Sequence, residues 1–402
     1  MIQSFIHRIF ARRHYWRVAS FSEIAELYTS RLLFTFAMSI VNLFAAVWLY
    51  KLGYSVLYIA LFYAATFLFR TMFSLVAARY VSYFGPKHGV LIAGLLRIPS
   101  LIAFMFVPEY GLFAIVLFGI FQQMSSSIYD ISYWTDFSKV KSLAHPGKEI
   151  GTMQIVEKFA RIISPVIGGV LASTVSLEAT ILVAAVLFVL SALPLLRTVE
   201  PIPVRTRMKI RGFPWKLARN SLISQSVVGF DFISSGLVWS LLLTIVIFAS
   251  YGEGTYAAIG VLASIGVLTS VVAAWTFGRL VDKHRGDVLL SFGAVSNVVI
   301  HIFRSLITTP VSAAMVSIAN ETATSAYSIP FTRVVFDLAD SSGFRITYIM
   351  LIEIALSLGA LLACGVFALC VMLFGETDGI RAMFIVAAAY EFLLLVSRRQ
   401  AK

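Results

Sequence analysis

Long runs of apolar residues alternate along the chain with short polar breaks. The runs are continuously apolar, which predicts membrane-spanning helices and not the alternating strands of a barrel. Crossing a hydrocarbon core of about 30 Å takes roughly 20 helical residues. Runs of that order lie at 31–51, 56–81, 89–107, 111–137, 150–174, 179–197, 219–249, 257–280, 288–308, 311–335, 345–374 and 381–397, so an all-α transmembrane protein of twelve spans is expected. The longest polar break, 198–218, holds Pro201, Pro203 and Pro214 among basic residues and divides the chain into bundles of six spans, 31–197 and 219–397. Residues 1–30 form a basic N-terminal segment and 398–402 a basic tail. Between Ile2 and Leu27, arginines and histidines interleave with Phe5, Ile6, Phe10 and Trp16. That pattern suits an amphipathic helix on an anionic leaflet or a solvated basic tail, and lacks the order of a cleavable signal.

Composition removes the soluble alternative. Of 402 residues, 59% are hydrophobic and 13% charged, with mean hydropathy +0.89, whereas soluble domains are about 45–50% apolar and about 25% charged. The net charge of +12 would suit nucleic acid only if the bases formed one face, and they fall in short clusters between spans. No nucleic-acid partner is expected. With the N-terminus inside, almost every loop base falls on the cytoplasmic side, and the outer loops keep essentially Lys51 and Arg381. The bias predicts both termini in the cytoplasm and a multi-pass protein of the cell (inner) membrane. Cys364 and Cys370 share one apolar run and read as packing residues, so neither a disulfide nor a metal site is expected. No phosphate-binding G-x-x-x-x-G-K-[ST] loop occurs, so active transport would draw on an ion gradient, and no cofactor is called for.

The two halves repeat faintly at an offset of 200 residues: Ala78-Arg79 matches Gly278-Arg279, and Ser82 matches Asp282. The second copy runs Gly278-Arg279-Leu280-Val281-Asp282-Lys283-His284-Arg285-Gly286, the first ends Gly85-Pro86-Lys87-His88 without the acid, and span 5 contains Ser164-Pro165-Val166-Ile167-Gly168-Gly169. These residues resemble the loop signature and the fifth-span turn of the major facilitator superfamily, and the resemblance covers the chain from about residue 30 onward. It implies two pseudo-symmetric six-helix bundles that alternate access to a central site lined by spans 1, 4, 7 and 10, working as a monomer on a small-molecule substrate. It also implies a cytoplasmic latch in which Asp282 reaches the start of span 5 near Lys148 to Lys158, with Arg279, Lys283 and Lys87 in the same loops. A purely topogenic basic turn is the alternative for Arg279 and Lys283.

Polar residues inside a membrane are costly and mark functional surfaces. They concentrate on the implied lining spans: Gln122, Gln123, Tyr129 and Asp130 on span 4, Asn320, Glu321 and Tyr327 on span 10, Asp231 and Trp239 on span 7, and Asn42 on span 1. Asn42, Gln122, Asp231 and Glu321 each stand about 10–12 residues from a span end, hence ~15–18 Å deep, near the midplane. They form the candidate substrate site. Glu321 is the preferred proton-coupling group, with Asp231 and Asp130 as rivals, because a buried carboxyl can be neutral in one conformation and ionised in another. A permanent ion pair is the competing reading for each. Arg70 on span 2 and Glu353 on span 11 fall at similar depth and would form a gating salt bridge between the halves. Arg97, His301, Arg304 and Glu391, on spans expected to be peripheral, have no assigned role. An excess of acids tilts the substrate toward a neutral or cationic solute, and the span 5 turn tilts direction toward efflux. A membrane-embedded enzyme acting on lipid is the rival class, but neither G-x-S-x-G nor H-E-x-x-H occurs. A non-transporting sensor on the same fold is the other alternative.

Overall fold

The computed structural model describes residues 21–42, 45–141, 146–174, 177–197, 208–283 and 285–400. The first twenty residues of the basic segment, Pro201, Pro203 and the last two tail residues lie outside them.

The described chain is helical, and two of its breaks carry side-chain caps. In order, the spans are α1 (Phe21–Asn42, continued by Ala45–Lys51), α2 (Val56–Phe84), α3 (Pro86–Met105), α4 (Leu112–Val140), α5 (Pro146–Thr174), α6 (Leu177–Leu190), α7 (Trp215–Ile233, continued to Ile247), α8 (Thr255–Asp282), α9 (Gly286–Leu306) and α10 (Pro310–Ser341). The last helical stretch, Arg345–Glu391, is broken at Gly375 (φ 80°, ψ 178°) into α11 (345–374) and α12 (376–391). That left-handed φ is open to glycine and strained for other residues. Ser55 caps α2 by accepting from Tyr58 N at 3.2 Å, and Thr309 with Ser312 forms a reciprocal capping box before Pro310. α1 is already helical at Phe21, with Ile24, Leu27 and Ser30 buried, so the first span starts ten residues ahead of the expected boundary.

Seven described helical stretches are long and apolar enough to cross a membrane, and the last of them, Arg345–Arg398, holds two spans. The remaining spans fall short for identifiable reasons. α1 carries Glu26 and Arg31, α5 carries Glu157, Lys158 and Arg161, α10 runs Asn320-Glu321-Thr322 through its middle, and α6 is short. Lipid-facing surface shows the complementary pattern: on α2, Leu61, Leu68, Met72 and Val76 are exposed while Arg70 and Ser74 on the other side are buried.

Helix neighbours repeat between the halves. α1 packs on α5 and α6, α2 and α3 on α4, and α3 on α6; α7 packs on the α11–α12 stretch, α8 and α9 on α10, and α9 on α12. The halves meet mainly through α2 against α11 and α5 against α8, two contacts exchanged by the same symmetry. Small residues set these approaches. A Cβ on Gly359 (α11) would stand 1.8 Å from Ser226 O of α7, and one on Gly229 (α7) would stand 2.0 Å from Leu356 O. Between the halves, Gly147 and Gly278 face each other's carbonyls at 2.7 and 2.8 Å by the same construction. Such contacts leave no room for a methyl.

We expect Gly359→Ala to destabilise by about 1–3 kcal/mol through overpacking. Gly365→Ala, one and a half turns on with nothing within 4 Å of the added carbon, should be neutral or mildly stabilising. Thermal unfolding of the purified protein measures both, and equal effects would contradict the packing assignment.

Candidate functional site

Charged side chains inside the bundle are stable only when paired, and their pairing locates three polar clusters. The first joins the halves at α2, α4 and α11. Arg70 is bound to Glu353 through Nε and Nη2, and Nη2 also donates to Asp130 Oδ2 at 2.7 Å. One guanidinium therefore holds an acid from each half. Its fork geometry suits this task, since several donors diverge from one plane. Beneath it, Ser74 and Ser127 share a hydrogen bond of 3.0 Å, and Arg97 Nη2 donates to Ser126 at 2.9 Å.

The second cluster runs along α5. Lys158 Nζ donates to Glu321 Oε2 of α10 at 3.0 Å, and Gln154 donates to Ser328 of α10 at 2.9 Å; both bonds cross between halves. Next to them, Arg31 of α1 donates to Glu157 Oε1 at 2.6 Å, and Arg161 lies 3.6 Å from the other Glu157 oxygen. The Arg31 guanidinium sits 5.5, 5.0 and 5.5 Å from the rings of Tyr129, Tyr133 and Trp134, within cation–π range. Glu321 and Asp130 each keep 25% of their side-chain surface accessible, so both remain within reach of water or solute.

The third cluster lies inside the second half. Asp231 of α7 accepts from Tyr327 at 2.8 Å and from Ser235 at 2.5 Å, and stands 3.1 Å from His301 Nε2 of α9. Arg304 donates to Ser235 at 2.6 Å and lies 4.8 Å from the Trp239 ring. Glu391 of α12 approaches His301 Nε2 to 3.8 Å.

At the end of the bundle that carries the 208–214 linker, the halves are tied again. Asp282 of α8 accepts from Gly147 N at 2.9 Å and Lys148 N at 3.2 Å, so its carboxylate caps the N-terminus of α5, where orphan amides and the helix dipole favour an anion. Lys141 pairs with Asp340 at 3.1 Å and Asp337 at 3.5 Å, and Arg345 donates to Ser138 at 2.8 Å. At the opposite end, Val56 N donates to Glu376 at 3.1 Å, and the α1 extension Ala45–Lys51 packs on the Trp239–Leu242 segment of α7.

The expected site residues thus fall into different places. Arg70 and Glu353 meet, with Asp130 added. Asp282 meets the start of α5; Arg279 instead stacks on Trp275 at 3.4 Å, Lys283 is exposed, and Lys87 is buried in the first turn of α3. Asp231, Tyr327 and Trp239 belong to the third cluster, and Glu321 to the second. Gln123 is buried and donates to Thr66 at 3.3 Å, Gln122 is half-buried, Asn320 is buried, and Tyr129 stacks on Phe34 at 3.4 Å. The side chain of Asn42 lies outside the described residues. No single midplane cluster gathers them among the described residues. The expected excess of acid also disappears, because Arg31, Arg70, Arg97, Lys158, Arg161 and Arg304 stand against Glu157, Asp130, Glu353, Glu321, Asp231 and Glu391.

Sequence reasoning missed the pairing of the α5 charges and the convergence on His301. Both left a signal: Glu157-Lys158-x-x-Arg161 interrupts an apolar run, and Asn297, His301 and Arg304 at i, i+4 and i+7 mark one polar face on α9.

A family model described as Major Facilitator Superfamily matches residues 27–352. Among solved structures, the chain resembles a bacterial homologue of the iron transporter ferroportin in an outward-facing state (14% identity, 94% of this chain and 99% of that one, TM-score 0.70). It also resembles the E. coli fucose:proton symporter FucP (12%, 94% and 98%, TM-score 0.67) and the human organic anion transporter MFSD10 (12%, 93% and 99%, TM-score 0.66). At these identities the likeness is one of fold. No protein of curated description matches the sequence.

Replacing Arg70 by Met strands two acids, whereas Glu353→Gln leaves Arg70 with Asp130. We expect Arg70→Met to cost about 3–5 kcal/mol and Glu353→Gln clearly less, read as melting temperature. The exchange Arg70→Glu with Glu353→Arg should recover only part of the loss, since the new glutamate faces Asp130. Equal single-mutant costs would remove the three-way pairing from the account.

Proposed function

The chain belongs to the major facilitator superfamily, and from that membership and the ionic contacts between its halves we propose a secondary active transporter that moves a small molecule by alternating access. The observation that carries the reading is that charged contacts between the halves occur at two depths, Lys158–Glu321 with Arg70–Glu353 inside the bundle and Asp282 at the α5 N-terminus. Rocking one bundle against the other would break these contacts. An unpaired charge at such depth is expensive, so opening requires water, a proton or a solute to take the lost partner's place. That requirement couples binding to conformation.

We assign proton coupling to Glu321. Protonation would remove its charge and free Lys158, while the partial exposure of Glu321 gives a proton a route. The fold likeness to a fucose:proton symporter supports protons as the coupling ion. Asp130 is the second candidate, held by an arginine it shares with Glu353, and Asp231, enclosed within one half, is the third. The matched cations and anions along α5 and α10 favour a solute that itself carries an ionised group, because such a group can replace one member of an ion pair. This replaces the tilt toward neutral or cationic solutes. Export, by exchange with protons, is the direction we propose; its support is the likeness of the Ser164–Gly169 stretch of α5 to a family turn. Of that stretch, the side chains of Pro165, Val166, Gly168 and Gly169 lie outside the described residues. We place both termini, and with them the linker end, on the cytoplasmic side of the cell membrane, following the basic bias of those loops, and take the monomer as the working unit. Family and fold point to a transporter and away from a lipid-modifying enzyme.

Reconstitution into proteoliposomes with an imposed pH gradient tests the reading against a panel of charged metabolites and drugs. Glu321→Gln should abolish pH-driven accumulation while leaving solute counterflow. Undiminished pH-driven transport in Glu321→Gln would remove Glu321 from coupling, and covalent change of lipid without solute movement would favour the enzyme.

A further inference from the structure

The third cluster contains more ligating capacity than its hydrogen bonds use. Asp231, His301 and Glu391 are all buried, at 4, 0 and 1% exposure, and one donor atom from each lies within 4.8 Å of the others. His301 Nε2 is 3.1 Å from Asp231 Oδ1 and 3.8 Å from Glu391 Oε1. Glu391 has Asn297 of α9 as its one side-chain donor, and neither carboxylate oxygen makes a close hydrogen bond. A buried acid with so little compensation is costly, and here it stands beside two further ligand-type atoms.

From this geometry we propose that Asp231, His301 and Glu391 bind one divalent transition-metal ion. Bonds of about 2.0–2.2 Å to nitrogen and oxygen place ligand atoms roughly 3–4 Å apart, which the two measured separations already satisfy. An imidazole with two carboxylates suits Mn²⁺, Co²⁺ or Zn²⁺ better than soft-ligand Cu⁺. The surrounding shell orients the ligands: Tyr327 and Ser235 donate to the two Asp231 oxygens, the arrangement that holds a ligating carboxylate in place. Arg304 is the opposing charge. It spends its hydrogen bond on Ser235 and lies over Trp239 and Phe384 at 4.8 and 5.7 Å, whose ring faces take up part of its field. No salt bridge among the described residues ties Arg304 to Asp231 or Glu391.

Local backbone supports a site that must admit its ion. Directly after Asp231, α7 winds into a π turn over Ser234–Val238, which contains Ser235, and again over Leu243–Ile247. Single π turns inside α-helices gather at functional positions, and a widened turn re-aims side chains with little displacement of the helix. The site lies within one half, so its occupancy stands independently of the transport reading.

The test uses full-length protein in detergent, stripped with chelator and titrated with Mn²⁺, Co²⁺ or Zn²⁺. Expected are one ion per chain by calorimetry, a Co²⁺ d–d absorption band, and a rise in melting temperature on binding. Glu391→Gln and His301→Gln should each weaken affinity by at least ~10-fold, and Tyr327→Phe by about 10-fold through ligand orientation. Metal-free melting curves check that each variant folds. Binding that persists in both ligand variants is adventitious surface binding and overturns the proposal. So does absence of saturable binding in the wild type.

Discussion

An ionised group inside a membrane protein must find a partner of opposite charge or a donor, because the hydrocarbon supplies neither. Arg70 meets this demand by taking Asp130 from its own half and Glu353 from the other. Lys158 meets it by crossing to Glu321. At the linker end the same demand is met by backbone: Asp282 takes the amides that open α5. The way the halves are seated on each other follows from these contacts, with glycines at 147 and 278 letting the backbones come close enough for Asp282 to reach.

The clusters differ in what motion would do to them. Those on α2–α11 and α5–α10 span the two bundles, so rigid-body rocking stretches them first. Asp231, His301 and Glu391 sit on α7, α9 and α12 of one bundle and would travel together. Buried charge is thus divided between contacts that a conformational change must break and a site that it can leave intact. In the proposed transport cycle, an ion held within one rigid body would bias the equilibrium only through helices that also face the partner bundle. Two ligand-bearing helices do so: the continuation of α7 packs against the α1 extension, and Glu376 at the start of α12 accepts from Val56 N.

Much of the architecture was legible in the sequence because the membrane imposes simple rules: span length, short basic loops, and the long polar break between the six-span halves. The meeting of Arg70 with Glu353 was legible from depth and fold resemblance, and the reach of Asp282 to α5 from the resemblance, with the preference of a carboxylate for helix amides as its physical reason. Asp130's share of Arg70 was not, since which of two acids a fork selects depends on tilt and rotation that periodicity does not encode. The charges of α5 were hidden by an averaged hydropathy that treats Glu157, Lys158 and Arg161 as noise in an apolar run. His301 and Glu391 stand 90 residues apart on helices expected to be peripheral, and only the tertiary packing of α9 and α12 reveals that their polar faces turn inward.

Distance between the bundles at the linker end tests the central claim most directly. Spin labels at Lys139→Cys on α4 and Arg285→Cys at the start of α9, both exposed, with the buried Cys364 and Cys370 replaced, report that separation by double electron–electron resonance. A short distance should dominate in the wild type, and a longer population should appear when Asp282→Asn weakens the cap on α5. A single distance, unchanged by Asp282→Asn and by pH, would contradict a carrier that opens by parting its halves.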